Sequence, residues 1–211
     1  MAETPVPGRC TVKVAVIDSG GANIASVRHA LARLGQTGEV TVDPRVIRAA
    51  DRVLLPGVGA AADAMARLEA AGLVPVIRGL RQPVLGICLG MQLLFEGSDE
   101  DGGTECLGIL PGRARRFAAR PGRPVPHMGW NRVYASGHSL FAGIPEGSHF
   151  YFVHSFAVGA GPDTVGFCDY GGEFTAVAAR GHVAGAQFHP ERSGRWGAQL
   201  LRNFLENERW S

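Results

Sequence analysis

Short apolar runs alternate with segments of helical spacing in the first half of the chain. Residues 12–18, which are apolar apart from Lys13 and Asp18, are typical of a strand buried on both faces. Apolar residues then recur at helical spacing over residues 24–34, and Gly35 favours the end of a helix. The same pattern repeats twice, with predicted strands at 52–55 and 83–87 and predicted helices at 60–71 and 91–95. Strand–helix alternation of this kind predicts a parallel sheet with right-handed crossovers.

The pattern changes in the second half. Residues 102–129 are rich in Gly, Pro and Arg, which indicates irregular structure. Short strand-like runs joined by Gly-containing hairpin turns follow, and a final helix is predicted; these segments are strands 150–153, 164–170, 174–179 and 183–188, turns 171–172 and 180–182, and helix 195–207. The chain is therefore predicted to have an α/β fold. We expect a doubly wound, mostly parallel sheet with helices on both faces and an additional antiparallel strand set.

The composition is that of an ordinary globular domain. The chain has 211 residues, of which 45% are hydrophobic and 19% charged, so it can bury a sizeable core. We expect residues 12–211 to form a single domain and residues 1–11 to be a flexible extension. The net charge of +2 does not indicate nucleic-acid binding. The arginine cluster between Arg113 and Arg123 is interpreted as a solvated loop face.

Location and redox state also follow from composition. No stretch approaches the roughly 18 apolar residues of a membrane span, and the first residues lack the basic start and apolar core of a secretory signal. The four cysteines show no C-x-x-C spacing, which argues against a zinc site; they are Cys10, Cys88, Cys106 and Cys168. We expect a reduced, cytoplasmic protein that contacts neither membrane nor nucleic acid.

A cysteine lies at a sharp turn between two glycines, where a predicted strand meets a predicted helix. Gly86, Cys88 and Gly90 have the spacing of a nucleophile elbow with cysteine in place of serine. Such a turn lifts the side chain above the carboxyl end of the sheet, where ligands bind in open α/β folds. The N–H groups of the following helix then favour the thiolate. A buried structural cysteine in a tight turn is the alternative.

A thiolate nucleophile needs a base and a group that orients the base. His189 is followed two positions later by Glu191, with Pro190 stiffening the link. Side chains two apart at a strand end share a side, so the two are expected to touch. His29, His138, His149 and His182 are interpreted as exposed or structural histidines.

The glycine-rich turn at residues 55–60 admits two interpretations. Gly57, Gly59 and Ala62 match the dinucleotide-binding fingerprint formally, but the turn is not on the first strand and no acidic residue ends the next one. An oxyanion hole fits better, because acyl transfer needs two N–H donors on the developing oxyanion. Leu89, directly after the cysteine, and this loop are expected to supply them.

With these motifs, the sequence resembles the class I glutamine amidotransferases, and within them the glutaminase branch of the imidazole glycerol phosphate synthases. Stretches typical of that branch run nearly end to end: residues 18–24 (DSGGANI), 55–60 (LPGVGA), 126–131 (PHMGWN), 151–155 (YFVHS) and 185–194 (GAQFHPERSG). The resemblance implies a Cys–His–Glu triad on a doubly wound sheet. It also implies hydrolysis of glutamine to glutamate and ammonia without a cofactor.

The resemblance further implies roles for individual residues. Cys88 would be the nucleophile, His189 the base and acid, and Glu191 the orienting group. Val58 and Leu89 would supply the oxyanion N–H groups. The remaining roles would be binding of glutamine by Gly59, Gln92, Glu100 and Ser155, and contact with the partner through Asn23, Trp130 and Asn131. The implied partner is a (β/α)8-barrel cyclase in a heterodimer, which uses the ammonia to make imidazole glycerol phosphate and aminoimidazole carboxamide ribonucleotide in histidine biosynthesis.

Three other functions stay open from the residues themselves. The chain could serve another synthase of the same class, such as the anthranilate or guanylate branch, although residues 126–131 argue against that. It could be a cysteine peptidase or esterase on a similar sheet. It could also be a non-catalytic binding module, against which the complete set of Cys88, His189 and Glu191 argues. The glycines around Val58 additionally predict that the oxyanion loop rotates easily and that activity depends on the partner.

Overall fold

The structure is organised around a mixed β-sheet. A computed structural model describes residues 12–20, 23–135 and 137–207 of the chain. Within these residues the strands are β1 (Val14–Ile17), β2 (Gly38–Thr41), β3 (Arg52–Gly57), β4 (Val84–Cys88), β5 (Gly97–Ser98), β6 (Thr104–Glu105), β7 (Arg113–Arg116), β8 (His127–Ala135), β9 (Ser148–His154), β10 (Phe156–Val158), β11 (Thr164–Asp169), β12 (Glu173–Arg180) and β13 (Val183–Ala186).

Helices connect the strands of the first half and close the chain. In the part that the structure describes, the α-helices are α1 (Ile24–Arg33), α2 (Pro44–Ala49), α3 (Ala61–Ala70), α4 (Val74–Arg78), α5 (Leu89–Leu94) and α6 (Gly194–Glu206). Short 3-10 turns lie at Glu100–Gly102, Ser139–Phe141 and Pro190–Arg192. None of the helices among these residues has the length and apolar character that a membrane span requires.

The main sheet has nine strands in the order β2-β1-β3-β4-β13-β12-β11-β8-β9. The first five are parallel to one another, and the remaining four continue the sheet with antiparallel pairings. A smaller sheet has the order β10-β7-β5-β6. This arrangement confirms the predicted doubly wound sheet with an antiparallel set, and it places β13 directly beside β4.

Apolar side chains cover both faces of the sheet because buried strands project alternate residues to opposite sides. In β1, Val14 and Val16 join one core while Ala15 and Ile17 join the other. The first core is completed by α1 and α6, and the second by α3, α4 and α5. The predicted layers of helices on both faces are therefore confirmed.

Several elements differ from the prediction. The segment 102–129 is not irregular throughout, since it contains β6, β7 and the start of β8. The short elements β2, α2 and α4 were also not predicted. Asp43 caps α2 by accepting a hydrogen bond from the N–H of Arg45, and Pro44 occupies the first helical turn; these are the local signals of a helix start.

The predicted N-terminal extension, residues 1–11, lies outside the described residues, as do residues 208–211.

Candidate active site

The turn between β4 and α5 holds Cys88 in a strained conformation. Its φ of 54° and ψ of −113° lie where few non-glycine residues are found, at a cost of about 1–3 kcal/mol. A Cβ on Gly90 would overlap the carbonyl oxygen of Leu55 on β3, and one on Gly86 would lie 2.6 Å from the carbonyl oxygen of Gly90. Both glycines are therefore required for the helix to pack this close to the sheet, which gives the turn the form of a nucleophile elbow.

Two hydrogen-bond contacts of the Cys88 sulfur are found among the described residues. The sulfur lies 3.8 Å from the carbonyl oxygen of Val153, to which the thiol donates, and 3.9 Å from Nε2 of Gln187, which donates to it. The Gln187 side chain is fully buried. Gln187 thus directs an amide N–H at the sulfur. Gln187 has no role among the sequence predictions, although it lies in the stretch that contains His189.

His189 and Glu191 are in contact, as predicted. His189 Nδ1 lies 2.8 Å from Glu191 Oε1, and the side chains are 3% and 0% exposed. The contact does not come from strand alternation, since β13 ends at Ala186 and His189 precedes a 3-10 turn at Pro190–Arg192. Ser193 fixes this turn: its hydroxyl donates to the carbonyl of His189 and accepts from the N–H of Tyr151 on β9.

The imidazole of His189 is more basic than an ordinary histidine. Its burial lowers the pKa, but the neighbouring Cys88 and Glu191 outweigh burial and raise the pKa to about 10. Its Nε2 is buried and has no hydrogen-bond partner among the described residues. This nitrogen is thus available to exchange a proton with the nucleophile and with a bound substrate.

Asn23, a predicted partner contact, lies against the base and the carboxylate. Its Nδ2 donates to Glu191 Oε1 at 2.7 Å and lies 3.1 Å from His189 Nδ1. The second carboxylate oxygen, Oε2, is buried without a partner among the described residues. Among the described residues, Oε1 is therefore the only carboxylate oxygen of Glu191 with side-chain donors. Asn23 and His189 share it.

The glycine-rich loop after β3 is anchored on one side of the elbow. Gly57 pairs with Cys88 across the parallel strands, and the hydroxyl of Ser19 donates to the carbonyl of Pro56 at 2.6 Å. Gly59 has a φ of +93°, which favours glycine over any other residue. The loop between these anchored points carries Val58, the predicted oxyanion donor.

A cavity of about 280 Å³ is lined by Cys88 and residues around it. Its lining includes eight of the predicted site residues: Val58, Gly59, Cys88, Leu89, Gln92, Glu100, Ser155 and His189. Val153, His154 and Phe156 complete the wall. A larger cavity of about 470 Å³ lies elsewhere, beside Lys13 and Thr37, and contains none of the predicted site residues. The smaller cavity is the candidate active site because it contains the groups that can do chemistry.

Two of the predicted glutamine-binding side chains have protein partners already. Gln92 Nε2 donates to the carbonyl of Phe156 at 2.9 Å and to Gln187 Oε1 at 3.0 Å. Glu100 Oε2 accepts from the N–H of Ala61 at the start of α3. Because both protons of the Gln92 amide are engaged, only its carbonyl oxygen is left to face a ligand.

The predicted partner contacts on β8 differ in their surroundings. Trp130 is 57% exposed and Met128 63% exposed, so this strand presents large apolar side chains to solvent. Such exposure is a feature of protein-binding surfaces. The Asn131 amide instead donates inward, to the ring of His127 and to the carbonyl of Asp169.

The other described cysteines differ from Cys88 in setting. Burial raises the pKa of Cys106 to about 11 and the pKa of Cys168 to about 12. Both are free thiols, and neither lies in the candidate cavity. Within residues 12–20, 23–135 and 137–207, no group of three or more His, Cys, Asp or Glu side chains is arranged to hold a metal ion.

Comparisons with known proteins show the family to which the chain is similar. The family model "Glutamine amidotransferase class-I" matches residues 15–207. The chain is 55% identical over 195 residues to "Imidazole glycerol phosphate synthase subunit HisH" of Xylella fastidiosa (strain Temecula1), covering 92% of this chain and 97% of that protein. It is 56% identical over 194 residues to the protein of the same description from Xanthomonas euvesicatoria, covering 92% and 96%.

Solved structures share the fold at low sequence identity. A crystal structure of a glutamine amidotransferase aligns with a TM-score of 0.72 and 19% identity, covering 92% of this chain and 97% of that one. A chain of the PurLQS structure from Thermotoga maritima aligns with a TM-score of 0.70 and 19% identity, covering 93% of this chain and 98% of that one.

Proposed function

This chain belongs to the class I glutamine amidotransferases, in the branch of the HisH subunits of imidazole glycerol phosphate synthase, and we propose that it hydrolyses glutamine for a (β/α)8-barrel cyclase in histidine biosynthesis. Glutamine and water give glutamate and ammonia in this subunit. The barrel uses the ammonia to form imidazole glycerol phosphate and aminoimidazole carboxamide ribonucleotide. The observation that carries the proposal is the strained Cys88 in one cavity with His189, whose ring is held by the buried Glu191.

The first half of the reaction forms a thioester. The thiolate of Cys88 attacks the side-chain amide carbon of glutamine, and the carbonyl oxygen becomes an oxyanion. We assign its stabilisation to the N–H groups of Leu89 and Val58, which flank the cavity. His189, protonated at its unpartnered Nε2, gives a proton to the departing nitrogen, and ammonia leaves.

The second half hydrolyses the thioester. Neutral His189 takes a proton from water, which attacks the acyl carbon through a second oxyanion. Collapse breaks the C–S bond and releases glutamate, whose carboxyl proton passes to water, and the expelled thiolate restores the ion pair of Cys88 with protonated His189. Glu191 stays ionised and holds the ring with Nδ1 as the donor, so that Nε2 is the nitrogen that moves protons. Gly59, Gln92, Glu100 and Ser155 line the rest of the cavity and are assigned to the amino-acid end of glutamine.

The exposed side of β8 is assigned to the partner. Trp130 and Met128 supply apolar contact area there, and we place the chain in a heterodimer with its partner.

We place this heterodimer in the cytoplasm. The free thiols of Cys88, Cys106 and Cys168 fit a reducing compartment. We take residues 12–211 as one domain.

We further propose that the isolated chain is nearly idle. Glycines on both sides of Val58 let its peptide plane rotate at low cost, and Gly59 has the positive φ that such a turn requires. An N–H turned away from the oxyanion costs about 10²–10³ in rate. Binding of the partner and its ligand would bias the loop toward the N–H-inward state.

The test measures glutamate release by the chain alone, with a barrel cyclase, and with the cyclase plus its nucleotide-derived ligand. Turnover should rise at each step. In the Cys88→Ser complex glutamate release should disappear, while synthesis from added ammonia should survive. Near-normal glutamate release by Cys88→Ser would show that the nucleophile is misassigned, and equal turnover in all three states would rule out the loop mechanism. Hydrolysis of peptide or ester substrates in preference to glutamine would favour the peptidase alternative.

A further inference from the structure

A row of buried hydrogen bonds joins β8 to the wall of the candidate cavity. Asn131 Nδ2 lies 3.3 Å from His127 Nε2, and His127 Nδ1 lies 3.1 Å from His154 Nε2. His154 Nδ1 in turn lies 2.8 Å from the carbonyl oxygen of Phe156. The two imidazoles thus bridge the amide of Asn131 and a backbone carbonyl of the cavity wall.

The position of each proton in this row follows from chemistry. A carbonyl oxygen only accepts, so His154 must carry its proton on Nδ1. Burial lowers the pKa of His154 to about 3, outweighing the hydrogen bond to the Phe156 carbonyl, which raises it; the ring is therefore neutral and its Nε2 accepts. His127 must then donate from Nδ1. Burial lowers its pKa to about 4, so its Nε2 accepts from the Asn131 amide.

Aromatic rings hold both imidazoles in place. The His127 ring is stacked between Tyr170 and Phe152, at centroid distances of 3.9 Å and 4.9 Å. The His154 ring meets Phe117 and Phe174, each at 5.3 Å. His127 is 3% and His154 6% exposed. Two polar rings in such apolar surroundings are stable only with their hydrogen bonds made, so the row has a single proton arrangement.

The inner end of the row fixes a predicted glutamine-binding side chain. The Phe156 carbonyl accepts from His154 and also from Gln92 Nε2. The second proton of that amide is bound by Gln187, whose own amide faces the Cys88 sulfur. The position of the Phe156 carbonyl therefore decides how the Gln92 amide is oriented, and with it the single oxygen that Gln92 presents to the cavity.

We propose that His127 and His154 are positioning residues of the glutamine site: as two neutral rings with their protons on Nδ1, they hold the Phe156 carbonyl that orients Gln92. Neither ring moves a proton in the reaction. Loss of the hydrogen bond from His154 Nδ1 to the Phe156 carbonyl should weaken glutamine binding more than it slows the chemical step. The kinetic part of this inference rests on the proposed glutaminase function.

A matched pair of variants isolates the inner hydrogen bond. His154→Asn and His154→Gln both lose the imidazole and its contacts with Phe117 and Phe174. The asparagine amide reaches the place of Nδ1 and still donates to the Phe156 carbonyl. The glutamine amide reaches the place of Nε2, keeps the contact with His127 and loses that donor. The same two substitutions at His149, an exposed residue on the same strand, are the control.

In complex with the cyclase, His154→Gln should have a KM for glutamine about tenfold above that of His154→Asn, the effect of one hydrogen bond. Their kcat values should agree within about twofold, and ammonia-dependent synthesis should be unchanged in both. The His149 variants should match the wild type. Equal KM values in the His154 pair would overturn the inference.

A measurement on the unaltered chain needs neither folded variants nor glutaminase activity. Nitrogen-15 NMR of histidine-labelled protein at pH 7 should show both His127 and His154 neutral, with the proton on Nδ1. A proton on Nε2 of either ring, or a charged ring, would refute the proposal. Absence of glutamate release by the wild-type complex would instead refute the proposed function, with the NMR result unaffected.

Discussion

Replacement of Asn23 by alanine distinguishes two roles for this residue. The sequence resemblance assigns Asn23 to the partner interface, whereas the structure places its amide 2.7 Å from Glu191 Oε1. Asn23→Ala removes this donor from a carboxylate whose side chain is 0% exposed. The other oxygen, Oε2, has no partner among the described residues with which to compensate.

The size of the effect follows from these contacts. A hydrogen bond to a charged group contributes about 1.5–3 kcal/mol, which corresponds to roughly 10- to 150-fold in rate if the full amount is lost in the transition state. Asn23 is only half-buried, so water can replace part of the donor. We therefore expect kcat of the saturated complex to fall about tenfold, the lower end of that range.

The assay measures glutamate release at saturating cyclase, together with the affinity of the two chains and ammonia-dependent synthesis. Trp130→Ala is the control: it should weaken association while leaving kcat of the saturated complex near the wild-type value. If Asn23→Ala instead keeps full kcat and only weakens association, Asn23 is an interface residue and its contact with Glu191 has no catalytic consequence.

Three further outcomes are expected. A glutamine-like electrophile at about pH 8 should modify Cys88 before Cys106 and Cys168, whose pKa values are raised to about 11 and 12; peptide mapping that finds the opposite order would count against the site. Gly90→Ala should lose glutaminase activity and stability in urea titration, because its Cβ would overlap the Leu55 carbonyl; wild-type stability would show that β3 moves freely. Since the pKa of His189 rises from 6.5 to about 10 on folding, its contribution to stability is complete below pH 6.5 and is lost as the pH approaches 10. The unfolding free energy should therefore fall less between about pH 7 and 9.5 in Glu191→Gln than in the wild type. An equal fall in both proteins would show that Glu191 does not raise the pKa of His189.

The parallel half of the sheet could be predicted because its strands are buried on both faces. The apolar runs of β1, β3 and β4 are stable only when both faces are buried, as in a parallel sheet covered by helices. Glycines lie in or beside the turns that follow these strands. β8 was not predicted because its exposed positions include Met128 and Trp130 rather than polar residues only, which hides the alternation. β2 is short and only partly buried, so little of its sequence is constrained.

The candidate site could be predicted where residues that are close together in the structure are also close together in the sequence. Cys88 with its flanking glycines and His189 with Glu191 are local patterns. The contacts of Asn23 with Glu191, and of Gln187 with Gln92, join residues that are far apart in sequence and depend on the order of strands in the sheet. His127 and His154 are far apart in the sequence, and their mutual hydrogen bond exists only because β8 and β9 pair in this register.

The position of β13 has a consequence for biosynthesis of the chain. The edge of β4 is completed only when Val183 and its neighbours insert between β4 and β12. Until the ribosome has made that segment and the residues after it, the emerging protein has Cys88 but neither His189 nor Glu191. By the proposed mechanism, unfinished copies release no ammonia, and a cyclase that bound one during translation would receive none.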